Sequence, residues 1–291
     1  MKVSGFTIVR NAIKYGYPAK ESLLSILPLC DELVVAVGNS DDGTREMIEA
    51  IGDPRIRIVD TIWDEKLKSG GTVLAVETDK AFKAISPDSD WCIYIQADEA
   101  MHEQDHPAIK AAMLEHLDNK KVDGLLFKYK HFWGSYDYVA SSYKWYRHEI
   151  RVVRNDPSIY SYRDAQGFRK GQNQKLRVKP VDAFVYHYGW VREPKTMHRK
   201  IEGVGQFWGG SQPDEHTRLF EAPDFDYNEV SLLELFKGTH PAVMQEKINA
   251  MNWKFDYDLS RNKQTAKDRF KNIMEKLTGH RPFDYKNYRI V

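Results

Sequence analysis

The chain has 291 residues, of which 42% are apolar and 29% are charged, and its formal net charge is +1. This composition is typical of a folded globular chain and excludes a disordered, fibrous or disulfide-built protein. Because the net charge is close to zero, no overall field attracts nucleic acid, and no nucleic-acid partner is expected.

The cysteines and the N-terminal pattern indicate in which cellular compartment the protein is expected. Cys30 and Cys92 stand beside or within apolar runs, which favours small buried hydrophobes over a disulfide or a metal pair. A strand-like pattern begins at Val3 without a leader before it, and no run approaches the ~20 apolar residues of a membrane span. We therefore expect a cytoplasmic protein, free or peripheral to the inner face of the membrane, with no transmembrane segment.

The first half of the chain alternates strand-like and helix-like patterns. In chain order the predicted elements are strand 6–9, helix 19–29, strand 32–37, helix 44–51, strand 57–59, helix 72–85, strand 91–95, helix 108–117 and strand 124–127. Such an alternation predicts βαβ units and an α/β fold with a mostly parallel sheet flanked by helices.

After residue 130 the pattern changes to aromatic and arginine-rich segments. Further elements are predicted as strands 150–153 and 183–188 and helices 194–207 and 264–277. We therefore divide the chain into a first half, 1–130, a mixed half of the same domain, 131–210, and a helical C-terminal extension, 211–291.

Polar residues follow three of the predicted parallel strands. Arg10 and Asn11 follow the first strand, Asn39 and Asp41 follow the second, and residues 96–99 follow strand 91–95. Ligands bind beyond the carboxyl ends of parallel strands, where loops and helix N-termini converge. The three clusters are therefore expected to face one crevice.

Two consecutive carboxylates, Asp98 and Glu99, follow the apolar strand 91–95. Desolvating them is costly without a counter-charge, and carboxylate oxygens suit hard cations such as Mg²⁺ and Mn²⁺. A helix N-cap or a solvated turn is the alternative interpretation of this segment.

The segment Gln96-Ala97-Asp98-Glu99 resembles the Asp-x-Asp element of family 2-like GT-A glycosyltransferases. The resemblance implies a GT-A (Rossmann-like) fold whose first half binds a UDP- or GDP-linked sugar and whose mixed half receives the acceptor. It assigns a metal-ligand role to Asp98. Gln96 replaces the first Asp of the element and would lie at the ribose or metal contact.

Two further segments are similar to that family. The segment 39–44 is similar to the turn after its second strand, and because the base-reading acidic pair is replaced, Asn39 or Asp41 would contact the base. Gly70 and the glycine after it match a loop that precedes a donor-binding Arg. Thr78 stands near that Arg position, so Lys66 or Lys68 would reach the diphosphate, unless the donor is held differently.

The mixed half supplies the remaining candidates. His187 resembles the C-terminal His that completes the metal site in several GT-A enzymes, although a lone His is more often structural. An inverting transferase needs a general base for the acceptor hydroxyl. Asp164, in a polar loop, is the leading candidate and Glu149 the second, with an ordinary salt bridge as the alternative for either.

The aromatic residues between 132 and 146 alternate with polar ones. They could form a platform on which a saccharide or glycolipid acceptor stacks, or they could seal the two halves together. The basic residues between 147 and 177 indicate either an anionic ligand or a solvated basic face.

The segment His102-Glu103-Gln104-Asp105-His106 matches the zinc-protease pattern, in which two histidines one helical turn apart bind zinc. Pro107 disfavours helical geometry at His106, so the two imidazoles are not expected to share a helix face.

The function predicted from these residues is metal-assisted transfer of a sugar from a nucleotide diphosphate, in the setting of polysaccharide biosynthesis by resemblance alone. A nucleotidyltransferase is the alternative enzyme, but it needs a Gly-rich phosphate loop after the first strand, where Arg10 and Asn11 stand. A carbohydrate-binding protein with a decayed site is the non-enzymatic alternative, favoured by Gln96.

Overall fold

The computed structural model describes residues 1–67, 69–208, 224–228, 230, 232–278, 281 and 285–291. The strands are β1 Val3–Val9, β2 Glu32–Val37, β3 Ile56–Asp60, β4 Trp91–Tyr94, β5 Glu99–Met101, β6 Gly124–Trp133, β7 Tyr138–Ala140, β8 His148–Arg154, β9 Ile159–Tyr162, β10 Gly167–Lys170, β11 Gln174–Trp190, β12 Leu233–Leu235 and β13 Tyr288–Ile290. The α-helices are α1 Ala19–Ile26, α2 Thr44–Glu49, α3 Thr72–Lys83, α4 His106–Glu115, α5 Pro194–Gly205, α6 Gln245–Asn249 and α7 Ala266–Thr278.

One sheet runs through the described residues in the order β3-β2-β1-β4-β8-β6-β11-β10-β9. The strands β3, β2, β1 and β4 are all parallel, whereas β8 is antiparallel to both of its neighbours. A parallel, helix-flanked half followed by a mixed half is the architecture expected of a GT-A fold. The predicted α/β fold class is therefore confirmed.

The apolar runs form strands because both faces of the sheet are covered. In β1 every residue is buried, and alternate side chains enter different cores. Val3 and Val9 pack with residues of α1 and α4, whereas Phe6 and Ile8 pack with residues of α3. Both cysteines are free and buried, as predicted.

The aromatic segment of the mixed half is largely buried. Phe132 and Tyr136 pack in one cluster with the β11 tyrosines, and Trp133 and Tyr138 pack in another. Trp133 donates a hydrogen bond to the Tyr227 carbonyl at 2.8 Å, which joins the C-terminal segment to β6. Most of these aromatic side chains are therefore core residues that join the mixed half to the C-terminal extension, rather than an exposed platform or a seal between the first and the mixed half.

The C-terminal extension contains α6 and α7 and also two three-residue strands that were not predicted. β12 pairs with β7, and β13 pairs in parallel with β11, so the extension is hydrogen-bonded to the rest of the domain at two places. In the described part of the chain, no helix is both long and apolar enough to cross a membrane.

Candidate active site

A cleft of about 290 Å³ opens beyond the carboxyl ends of β1 and β4, where the sequence predicted a crevice. The predicted site residues that line it are Arg10, Asn11, Gln96, Asp98, Asp164 and His187. The fold thus gathers residues from separate segments of the chain into one cleft.

Strand pairing brings Asp98 and His187 together. β5 is antiparallel to β11 with His187 opposite Glu99, and the Tyr188 amide donates to the Asp98 carbonyl at 2.7 Å. In this register the His187 Nε2 lies 3.9 Å from Asp98 Oδ1. Two residues that are far apart in the sequence therefore share one corner of the cleft.

The hydrogen bonds behind His187 determine its tautomer. His131 Nε2 lies 2.8 Å from the Tyr146 carbonyl oxygen, which only accepts, so this nitrogen carries a proton. Burial lowers the pKa of both imidazoles, so both are neutral at pH 7. His131 Nδ1 is then an acceptor, and His187 Nδ1 donates to it at 3.1 Å. His187 Nε2 is consequently unprotonated, and its lone pair faces the cleft beside Asp98.

Gly189 leaves room for Asp98 and His187. A Cβ at position 189 would lie 2.4 Å from His187 Nε2 and 3.0 Å from Asp98 Oδ2. Since real Cβ atoms do not approach other atoms so closely, any larger residue would displace His187 or the carboxylate. A side chain at this position would fill the space in front of both groups.

Two cations from the segment after β11 surround Asp98. Lys200 Nζ, on α5, lies 3.3 Å from Asp98 Oδ2 and donates to the Gly189 carbonyl at 2.8 Å. Arg192 Nη2 is 4.0 Å from the same carboxylate oxygen. Burial raises the pKa of Asp98, but the neighbouring positive charges, Lys200 first, outweigh burial and lower the pKa to about 2. Burial and the Arg192 guanidinium lower the pKa of Lys200 to about 7.

Several buried N–H groups near the cleft have no hydrogen-bond acceptor among the described residues. They belong to Arg10 (Nε and Nη1), to the Trp63 indole and to Arg192 (Nη2). The Arg10 guanidinium lies 5.4 Å from the centre of the Trp63 ring, and Asn39 Oδ1 accepts from the Trp63 amide at 3.3 Å. Buried donors without acceptors are costly, so these groups are suited to a ligand that accepts hydrogen bonds.

Glu99, the neighbour of Asp98, has an internal partner. Its carboxylate receives two hydrogen bonds of 2.8 Å from Arg151 and one of 2.8 Å from the Tyr129 hydroxyl. Glu99 and Arg151 are fully buried. Glu99 is therefore a structural residue behind the cleft, and Asp98 is the carboxylate that faces it.

Other basic residues of the segment 147–177 are also engaged within the protein. Arg154 and Arg169 are buried and donate to backbone carbonyls, and Arg177 pairs with Asp123 at 2.8 Å. These residues are therefore parts of the interior and of surface ion pairs.

Asp164 lines the cleft from the loop between β9 and β10. This loop packs so tightly on Gly71 that a Cβ there would lie 2.6 Å from Asp164 Cβ. Glu149 is buried behind the cleft lining, where its carboxylate accepts a hydrogen bond from the Gln166 side-chain amide at 3.3 Å. Burial raises the pKa of Glu149 to about 7.

The other predicted donor-binding residues that the structure describes lie outside the lining of the cleft. Asp41 is exposed and pairs with Lys14 at 2.9 Å. Gly70 is also exposed, and a Cβ added to it would meet no atom within 4 Å. Thr78 is buried in α3, with its hydroxyl 3.4 Å from that of Tyr94, which does line the cleft. Lys68 lies outside the described residues.

A divalent ion fits the corner between Asp98 and His187 in donor chemistry. The carboxylate oxygen and the unprotonated imidazole nitrogen are both ligands of Mn²⁺, and their separation of 3.9 Å is short enough for both to bind one ion at about 2.1 Å each. Within the described ranges no three His, Cys, Asp or Glu side chains form a complete metal site. Other ligands would therefore have to come from substrate or water.

The two histidines of the protease-like pattern are separated by the fold. His102 precedes a short 3₁₀ turn and contacts the Thr239 hydroxyl at 3.0 Å, whereas His106 begins α4 and contacts the Ser25 carbonyl at 2.9 Å. Each imidazole therefore has its own partner on a different segment.

No family model matches the sequence, and no curated protein matches it. Among solved structures, the chain is similar to S. aureus TarS 1–349 in complex with UDP, with 15% identity and a TM-score of 0.42 over 76% of this chain and 69% of that one. It is also similar to M. tuberculosis glucosyl-3-phosphoglycerate synthase with Mn²⁺, UDP and glucosyl-3-phosphoglycerate, with 21% identity and a TM-score of 0.30 over 46% of this chain and 45% of that one. A third similar structure is 4-diphosphocytidyl-2C-methyl-D-erythritol synthase from Anaerococcus prevotii, with 13% identity and a TM-score of 0.34 over 53% of this chain and 70% of that one. At these values the function of the cleft has to be inferred from its own side chains.

Proposed function

We propose that this protein is a glycosyltransferase that moves a sugar from a UDP- or GDP-linked donor to a saccharide or glycolipid acceptor. The observation that carries the proposal is the pair Asp98 and His187, whose unprotonated Nε2 faces the cleft beside the buried Arg192 guanidinium and the Lys200 amine. A carboxylate, a neutral imidazole and a cationic wall together suit a diphosphate and a divalent ion.

The charges around the cleft favour an anionic donor. Arg10 lines it and Arg192 lies beside Asp98, and both guanidinium groups are charged at pH 7, whereas Lys200, with a pKa of about 7, is partly charged. Lys200 and Arg192 take the place of the donor-binding Arg that the sequence lacks near Thr78. The unpaired N–H groups of Arg10 and Trp63 would donate to phosphate, ribose or base oxygens.

Asp98 and His187 would hold Mn²⁺ or Mg²⁺. A bound divalent ion neutralises charge on the departing diphosphate. The nitrogen ligand favours Mn²⁺ over Mg²⁺.

On the acceptor side, Asp164 is the proposed general base. The acceptor hydroxyl attacks the anomeric carbon, the bond from that carbon to the diphosphate oxygen breaks, and the hydroxyl proton passes to the Asp164 carboxylate. Such a single displacement inverts the anomeric centre. Glu149 is less suited, because it is buried behind Gln166 and does not line the cleft.

Donor turnover tests this proposal. With Mn²⁺ and a panel of UDP- and GDP-sugars, the wild type should release nucleoside diphosphate from one donor class, faster when its acceptor is present. Asp164→Asn should lower kcat by about 10²–10⁴-fold with little change in the donor KM, since it removes only the proton acceptor. Glu149→Gln, the matched change in the buried carboxylate, should keep most of kcat.

The alternatives give different results. Formation of a nucleotide sugar and pyrophosphate from a nucleoside triphosphate and a sugar phosphate would identify a nucleotidyltransferase. Sugar binding without turnover of any donor would identify a binding protein with a decayed site. Either result would contradict the proposal.

A further inference from the structure

The helix α7 presents an apolar stripe to solvent. Phe270 is 60% exposed, Ile273 49% and Leu277 77%. Their spacing of three and four residues places all three on one face of the helix. An exposed apolar stripe of this kind is unusual for a surface helix, whose apolar residues normally face the core.

The opposite face of α7 is polar and attaches the helix to the domain. Glu275 lies 3.8 Å from both the Arg147 and the Arg281 guanidinium groups. Lys271 lies 4.0 Å from Asp268 and over the ring of Tyr143 at 4.3 Å. The helix is therefore oriented with its polar face inward and its apolar face outward.

Cations border the stripe. At 100° per residue, Lys267 and Arg269 project roughly 80° to either side of it, and both are exposed. The acidic residues Asp268 and Glu275 lie on the inward face, close to the cations named above. An apolar stripe between exposed cations is complementary to a bilayer surface that contains anionic lipids, where acyl chains accept the stripe and headgroups accept the cations.

The position of α7 connects this surface with the cleft. The inward face of α7 packs on Tyr143 and Arg147, and Arg281 donates to the Trp145 carbonyl at 2.7 Å. In the same segment Tyr146 lines the cleft, and its carbonyl accepts from His131. The segment 143–147 thus contacts α7 and also contributes to the lining of the candidate active site.

We propose that α7 docks on an anionic membrane surface, with Phe270, Ile273 and Leu277 inserted among the lipids and Lys267 and Arg269 on the headgroups. If the proposed function also holds, this orientation brings the cleft close to the surface from which a lipid-linked acceptor would extend. The docking itself does not depend on the transferase activity.

Co-sedimentation of the full chain with vesicles tests the docking. The probe is phosphatidylcholine vesicles containing about one-third phosphatidylglycerol, compared with pure phosphatidylcholine. The wild type should bind the anionic vesicles, and more weakly as salt is raised. The double variant Phe270→Gln and Leu277→Gln should bind at least about tenfold more weakly, because two inserted side chains are removed while Gln retains helix propensity. Leu114→Gln, at a 58% exposed position of α4, is the matched control and should bind like the wild type.

Circular dichroism and sedimentation velocity accompany the binding measurement. Unchanged helix content in the double variant confirms that a loss of binding comes from the missing stripe. Equal vesicle binding by the double variant and the wild type would overturn the proposal. So would a wild-type dimer that the double variant dissociates, since the stripe would then be covered by a second copy. Donor turnover without vesicles should be the same in all variants, so failure here is separable from failure of the proposed function.

Discussion

The chemical state of His187 depends on a histidine that lies behind it. The Tyr146 carbonyl fixes the proton of His131 on Nε2, and His131 in turn fixes the proton of His187 on Nδ1. Burial lowers the pKa of both rings, so both are neutral near pH 7. The two hydrogen bonds therefore keep the His187 Nε2 lone pair directed at the cleft. Partners that fix a ligand's tautomer commonly strengthen metal binding. His131 is thus a positioning residue for the proposed site.

Substituting His131 with Phe should therefore weaken Mn²⁺ binding without emptying the core position. Phe fills the buried space but cannot accept from His187 Nδ1, so the His187 ring loses its orientation. We expect Mn²⁺ affinity in the presence of UDP, measured by electron paramagnetic resonance, to fall by about 10–100-fold.

The matched control is His240→Phe, which also removes a histidine with two hydrogen-bond partners, the Tyr188 hydroxyl and the Tyr136 carbonyl. This variant should retain the wild-type Mn²⁺ affinity. If His131→Phe does the same, the proposed role of His131 is wrong.

At the scale of elements, two adjacent glycines at the start of α3 have different roles. Gly70 and Gly71 both have positive φ, +57° and +71°, which other residues adopt only with strain. A Cβ at Gly71 would also lie 3.1 Å from Asp164 Cα and 3.2 Å from the Trp208 ring, whereas a Cβ at Gly70 would meet nothing within 4 Å. Gly71 therefore permits the loop 163–166 to approach the start of α3, with Asp164 in the lining of the cleft.

Substituting each glycine with alanine separates the effect of backbone strain from the effect of close packing on Asp164. Gly70→Ala should lower the free energy of unfolding by about 1 kcal/mol through backbone strain alone. Gly71→Ala should lower it by an additional ~1–3 kcal/mol, because the backbone of the Asp164 loop has to move. Urea unfolding of both variants measures the difference, and equal losses would show that the close packing of Asp164 on Gly71 is unimportant.

At the scale of the whole molecule, β1, β2 and β4 could be predicted because they are buried on both faces. β1, β2 and β4 are short apolar runs between polar loops, a pattern that is visible in the sequence. The three-residue strands β5 and β7 are too short to show a period. The 17-residue strand β11 was predicted only at 183–188, because its first part alternates with charged residues around Pro180.

The candidate site was predictable where residues follow those strands and unpredictable where they come from surface-like helices. Asp98 and His187 stand next to apolar runs and match a family pattern. Lys200 belongs to an amphipathic helix in which Lys195 and Arg199 have the same appearance in the sequence, and only the packing of α5 against Asp98 distinguishes it. His131 lies within a strand and has no local signal at all, since its role depends on β6 lying beside β11.

We propose above all that the corner formed by Asp98 and His187 binds a nucleoside diphosphate together with a divalent ion. Calorimetric titration of UDP and GDP, with and without Mn²⁺, into the wild type, Asp98→Asn and the exposed control Asp88→Asn tests it most directly. We expect one nucleotide to bind, Mn²⁺ to strengthen its binding at least about tenfold, and Asp98→Asn but not Asp88→Asn to remove that effect. Binding of neither nucleotide under any condition, or an Mn²⁺ effect that survives in Asp98→Asn, would contradict the account.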